Sequence, residues 1–227
     1  MLRTLVLAVG LALGAPALAL TLGDITNQEA TAGLKDGLMQ SASKAVGQLG
    51  ATGGFLDNAK VRIPLPDSIR RVESGLRLMG MGKQADDLVV SMNRAAEMAV
   101  KEAAPVLTSA VKRMSVQDAK AILTGGDTAV TDYFRRTTSA ELTQKFMPIV
   151  KRATANVQLA EQYNRLAGQA SSLGLVSKDD ADINAYVTRK ALDGLFLVIG
   201  EQEKAIRQDP VGAATGMASK VFGAIGK

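Results

Sequence analysis

The stretch Gln84–Ala104, QADDLVVSMNRAAEMAVKEAA, decides the fold class. Ala85, Leu88, Val89, Met92, Ala96, Ala99 and Ala103 recur at helical intervals and share one face. Asp86, Asp87, Asn93, Arg94, Glu97 and Lys101 fall on the other faces, with Glu97 and Lys101 in the favourable i,i+4 order. Pro105 has no N–H to give, so the helix kinks there or restarts with Pro105 in its first turn. Val106, Leu107, Ala110, Val111 and Met114 continue the apolar stripe.

The same pattern extends toward the N-terminus. Gly80-Met81-Gly82-Lys83 has the look of a phosphate-binding loop, but Arg77 stands where that pattern needs glycine and Gln84 where it needs Ser or Thr. A turn between helices is the expectation. Before it, Asp67 is placed to cap a helix with Ile69, Val72, Leu76 and Met79 on its buried face. Phe55–Pro66 is an irregular connector, because Ile63 and Leu65 each precede proline and are pushed toward extended geometry. Phe55, Leu56, Val61 and Ile63 should pack it onto the helices. Thr26 and Glu29 have capping-box spacing and start a helix near Asn27, with Thr31, Leu34, Leu38, Ala42, Ala45, Val46 and Leu49 as its stripe. Gly33 and Gly37, one turn apart, imply close approach by another helix.

Toward the C-terminus, Ser115 and Asp118 open a short helix to Leu123. Gly125-Gly126 stops it and Asp127 caps the next, on which Val130, Tyr133 and Phe134 face inward. Thr138 and Glu141 repeat the capping-box spacing and predict a fresh helix start, followed by a long helix through Leu142, Phe146, Val150, Val157, Ala160, Tyr163 and Ala167, kinked or broken at Pro148. Ser177 and Asp180 give a last box, before an apolar helix from Ile183 past Ile206 that ends short of Pro210. The fold expected is all-α: a single compact domain over residues 20–210, of about seven to nine helices, with at most a short extended segment near residues 60–66. Residues 211–227 should be a weakly helical, mobile tail.

The composition sets limits on chemistry. The 227 residues include no His, no Cys and no Trp, and carry a net charge of +5. Absence of histidine excludes imidazole acid–base catalysis and Ser-His-Asp systems; absence of both His and Cys excludes zinc and copper sites built from them. Carboxylates, Lys, Tyr and hydroxyls remain, and no motif calls for a cofactor or a metal. The basic residues are interleaved with acids, and the doublets Lys112-Arg113 and Arg135-Arg136 are too short for a nucleic-acid footprint.

The first residues give an address. Arg3 precedes an apolar run from Leu5 to Leu13, Gly14-Ala15-Pro16 breaks it, and Ala17-Leu18-Ala19 fits the small-x-small cleavage rule. A secretory signal over residues 1–19, cleaved after Ala19, is expected, with a periplasmic destination. Without cysteine the chain is not a lipoprotein and has no disulfides. No later segment is apolar enough for a transmembrane helix.

Several motifs in order carry a resemblance. Gly54-Phe55-Leu56-Asp57-Asn58 with Val61-Arg62-Ile63-Pro64-Leu65-Pro66 is one, and Ser91-Met92-Asn93-Arg94-Ala95-Ala96-Glu97 another. Gly125-Gly126-Asp127-Thr128-Ala129 with Thr131-Asp132-Tyr133-Phe134, and Ala191-Leu192-Asp193-Gly194-Leu195-Phe196, complete the set. Together they resemble DUF4197, a family of exported bacterial proteins. The resemblance spans the mature chain and implies a helical, exported protein. It implies no activity and no site residues, because the family has no established function.

A concentrated polar set nominates a site: Asp127, Thr131, Asp132, Tyr133 and Arg135 after the Gly125-Gly126 turn, Asn93, Arg94 and Glu97 on the amphipathic helix, and Asp193 among Leu192, Gly194, Leu195 and Phe196. An acid in so apolar a setting needs a partner, which Arg94 or Arg135 could supply. The readings are a structural ion-pair network tying helices together, a polar ligand pocket, or catalysis by Asp127 or Asp132 with Arg135 stabilising charge. Two functions follow: a soluble periplasmic binding or interaction protein for an apolar small molecule or an envelope protein, or a carboxylate-dependent envelope enzyme.

Overall fold

The computed structural model describes residues 26–225 apart from 72, 127 and 173–180. The expected signal segment, Val72, Asp127 and the Ser177–Asp180 box therefore lie outside the described residues. Among those described, all regular structure is helical. The helices are α1 (Asn27–Gly50), α2 (Asp67–Arg70), α3 (Glu73–Leu78), α4 (Gly82–Val100), α5 (Ala103–Arg113) and α6 (Val116–Leu123), followed by α7 (Ala129–Thr154), α8 (Gln158–Ser172), α9 (Ile183–Gln208), α10 (Pro210–Ala213) and α11 (Gly216–Ile225). Eight of them run to eight residues or more, so the all-α reading and its helix number hold.

Two starts written into the sequence are made as expected, at α1 and α6. Asp67 does not cap α2: it is that helix's first residue and pairs with Arg70, and Pro66 before it offers no side-chain cap. Thr26 Oγ1 accepts from Glu29 N at 3.2 Å and Glu29 answers the Thr26 backbone, closing the box on α1. Ser115 and Asp118 do the same for α6. Pro105 falls in the first turn of α5, where the missing N–H costs nothing, so the chain restarts rather than kinks.

The core runs through α1, α4, α5, α7 and α9. Leu34, Leu38, Leu88, Met92, Leu107, Phe134, Leu142, Phe146, Leu195 and Phe196 are fully buried, and the connector adds Phe55 and Ile63. α7 packs against α4 and α9, which also touch each other, while α1 packs against α9 and α11. Gly33 and Gly37 have the use the sequence implied. A Cβ at Gly33 would meet Val221 and the Met217 carbonyl, and one at Gly37 would meet the Phe222 ring at 2.7 Å. α11, within the 211–227 tail expected to have only weak helical spacing, supplies that partner helix: Ala218, Val221 and Phe222 are buried, with Val221 and Phe222 against α1.

Three further expectations are corrected. Thr138 and Glu141 do not start a helix. α7 is continuous from Ala129 to Thr154, with Thr138 buried in its interior and bonded to the Phe134 carbonyl at 2.6 Å. The box spacing is overridden because Phe134, Thr138, Leu142 and Phe146 already form one buried row. Pro148, expected to kink or break the helix, does not break it. Its residue is exposed, where water can satisfy the carbonyl it leaves free, and the break comes at Ala155–Val157. Finally, residues 67–78 are two short helices rather than one. Ile69 is buried, but α3 buries none of its residues and Met79 is 70% exposed.

Candidate functional site

The nominated residues do not converge on one point; the structure sorts them into separate tasks. On α4, Asn93 and Glu97 point at the connector. Asn93 Oδ1 accepts from Ile63 N at 2.8 Å and its Nδ2 donates to Ile63 O at 2.9 Å, a strand-like pairing from one side chain. Glu97 Oε1 accepts from the N–H groups of Gly53, Phe55 and Leu56 at 3.1–3.2 Å, and Oε2 accepts from Arg94 at 2.6 Å. Burial alone would push this carboxyl up, but the Arg94 guanidinium and the three N–H donors overcome it and hold it below its ordinary value. Arg94 therefore serves Glu97, not Asp193. The trio is a pin that holds the connector on the core.

On α7 the row divides by face. The Tyr133 hydroxyl donates to Ala110 O at 2.8 Å, satisfying a carbonyl in the last turn of α5. Burial, and then the nearby Asp118 charge, push its pKa up. Asp132 is on the surface and accepts from Thr128 Oγ1 at 3.0 Å. Thr131 turns inward, with its hydroxyl oxygen buried without a partner and about 2.9 Å from where a Cβ on Gly200 would stand.

Arg135 and Asp193 do meet, across α7 and α9, at 3.4 Å. Of the two partners open to Asp193 it is Arg135 that meets it, but the setting is not apolar: the side chains are 51% and 48% exposed. Asp193 projects from the outer side of α9 while its neighbours Leu192, Gly194, Leu195 and Phe196 turn inward. The Arg135 guanidinium sits 5.0 Å above the buried Phe196 ring, a cation–π geometry. Together they stand at an open cleft of about 340 Å³ between the two helices, with Met147 and Leu192 in its wall and Arg189 at its edge. Ser139 and Thr143, also in that wall, give their hydroxyl protons to carbonyls one turn back, so they face the cleft as acceptors. Among the described residues no three acidic side chains gather closely enough to hold a metal ion.

The model of the family described as protein of unknown function (DUF4197) matches residues 24–223. The chain belongs to this family. No curated protein and no solved structure matches it.

In this DUF4197 chain the most deeply placed carboxylate among the described residues is one the sequence reading passed over. Glu203 on α9 is 2% exposed, receives Arg207 at 2.9 Å, and accepts from Val130 N at the start of α7. Arg207 also donates to Ile122 O at the end of α6 at 3.1 Å and lies over the Phe222 ring of α11. The pair thus closes the Gly125-Gly126 turn from beneath: the acid caps the incoming helix and the base caps the outgoing one. Its burial pushes the Glu203 carboxyl above its ordinary value despite Arg207, and Oε2 has no partner. The signal was available. Phe196, Ile199, Glu203 and Ile206 keep helical spacing, which places Glu203 in the apolar row.

Proposed function

We propose that this is a non-catalytic binding protein of the bacterial cell envelope, exported with cleavage after Ala19, that takes a small ligand at the α7–α9 cleft. The observation carrying the reading is Arg135: half exposed, stacked on Phe196 and joined to Asp193 by a long 3.4 Å contact. A guanidinium held over an aromatic face is pre-oriented, and so long a contact in water is cheap to exchange for a ligand. Both signs and two hydroxyl acceptors share one wall, which suits a ligand that donates as well as accepts, with its apolar part against Met147 and Leu192.

The carboxylate-enzyme alternative has less behind it. Glu97 and Glu203 are occupied in closing turns, and Asp132 is bonded on the surface to its own helix start. Denaturing mass spectrometry of protein purified from the periplasm is the test. A retained small molecule that is lost in Arg135→Ala and Asp193→Asn is the expected result. A clean apo protein, together with an enzymatic activity abolished by Asp132→Asn, would overturn the reading. N-terminal sequencing of the same material checks the export step, with Leu20 expected first.

A further inference from the structure

The connector pinned by Asn93 and Glu97 presents Arg62 outward, among other exposed residues that include Asp57 and Lys60. Val61 and Ile63 are buried, so Arg62 between them must face solvent, on a backbone fixed from both ends by the α4 pin. A second cleft of about 390 Å³ opens there, between the connector, α4 and the α2–α3 arm. Its apolar wall is Leu65, Val89 and Val90. Its charged groups are Arg62, Arg70 and Arg77 against Glu73 and Asp86. Arg77 holds both acids, at 2.7 Å each, and Arg70 is paired with Asp67. The Arg62 backbone N–H donates to Asn58 O at 2.8 Å, but its guanidinium has neither a hydrogen bond nor an ion pair with any described residue. Of the three arginines only Arg62 has no ion pair with a described residue, although Asp67, Glu73 and Asp86 equal them in number because Arg77 is shared by two acids. An arginine fork without an ion pair, carried on a backbone fixed at both ends, has its donors free for a phosphate or carboxylate.

We infer that this cleft binds an anionic amphiphile, a molecule with a phosphate or carboxylate head on Arg62 and a single apolar chain along Leu65, Val89 and Val90. Val90, 44% exposed on α4, gives the chain a surface to cover. The site is separate from the α7–α9 cleft and does not depend on it.

Isothermal titration of the intact mature protein with monomeric decyl phosphate tests the inference, with inorganic phosphate, decyltrimethylammonium and phosphatidylglycerol vesicles as the other arms. One decyl phosphate should bind per chain. Arg62→Ala should weaken it by about tenfold or more, Arg62→Lys by less, and Val90→Glu should also weaken it, while Arg135→Ala leaves it unchanged. All three substituted residues are exposed, and circular dichroism of each variant checks that the fold is kept. Equal binding of the cationic surfactant, equal binding of phosphate alone, binding confined to vesicles, or an unchanged Arg62→Ala would each overturn it. Loss in Arg135→Ala with none in Arg62→Ala would move the ligand to the other cleft and also overturn it.

Discussion

At the scale of the residue, two buried glutamates with opposite shifts make opposite demands on pH. Glu97 is held below its ordinary value of about 4.5, so its contribution is present above that pH and is lost as pH falls through the folded value. Glu97→Ala leaves three backbone N–H groups and Arg94 without their acceptor and should cost about 3 kcal/mol or more at neutral pH. In urea titrations that cost should shrink below pH 4.5. A cost independent of pH would refute the charged pin. Glu203 lies above its ordinary value, so the fold favours its neutral form. Its stabilising contribution is present below about 4.5 and is lost as pH rises through the folded value. Glu203→Gln, neutral throughout, should therefore flatten the decline in stability on the alkaline side. A steeper decline would show that the ionised pair with Arg207 is the favoured state. By contrast, Asp193→Asn should lie within about 0.5 kcal/mol of the parent in the same titrations, because the Arg135–Asp193 pair stands in water.

At the scale of the element, α7 shows where local signals stop deciding. A capping box is a statement about a free helix end, and Thr138-x-x-Glu141 meets it in spelling. Yet the buried row through Thr138 lets the helix pass without interruption, because the packing of several large side chains outweighs one cap worth about 1 kcal/mol. Glu141→Ala should accordingly change stability by less than about 0.5 kcal/mol in thermal unfolding, as for an exposed interior position. A loss of about 1 kcal/mol or more would indicate a true N-terminus there. The break that does occur, at Ala155–Val157, contains neither Gly nor Pro and carried no local signal. It is held from a distance: Thr154 Oγ1 donates to Asn184 at 2.6 Å, and Ile183 N donates to Asn164 at 2.7 Å, joining α7, α8 and α9 at one corner. The starts of α1 and α6 were legible because each box is satisfied within four residues. The connector backbone groups that Asn93 and Glu97 hold, and the Val130 N–H at the start of α7 that Glu203 accepts from, were not, since only the folded chain brings them to those side chains. Legible too was the pairing of Arg135 with Asp193, whose exposure was not, because neighbours in sequence lie on different sides of a helix.

At the scale of the whole molecule, chain order and packing order differ. The last helix lies on the first: α11 covers α1 at Gly33 and Gly37, and Lys220 reaches Glu29 at 3.0 Å. That lysine, with the Thr26 donors, lowers the Glu29 pKa to about 2. Phe222 meanwhile touches Arg207, which holds the α6–α7 turn, so the tail reports to the same junction as Glu203. Two glycine steps on α1 make this approach possible, and a side chain there must push α11 away. Gly33→Leu has no room beside Val221 and the Met217 carbonyl and should cost about 1–3 kcal/mol by overpacking. Truncation after Gln208 removes the cover altogether. It bares Gly33 and Gly37 with the neighbouring Leu34 and Leu38 and strips Phe222 from Arg207. Since one core cluster includes α1, α9 and α11 together, the loss should not stay local. The truncated chain should unfold at a temperature lower by many degrees, in a single transition, and should bind an apolar dye before it melts. Unfolding of the full chain in separate steps, with α11 protected from hydrogen exchange no better than an exposed loop, would mean that the tail is an appendage and not part of the core.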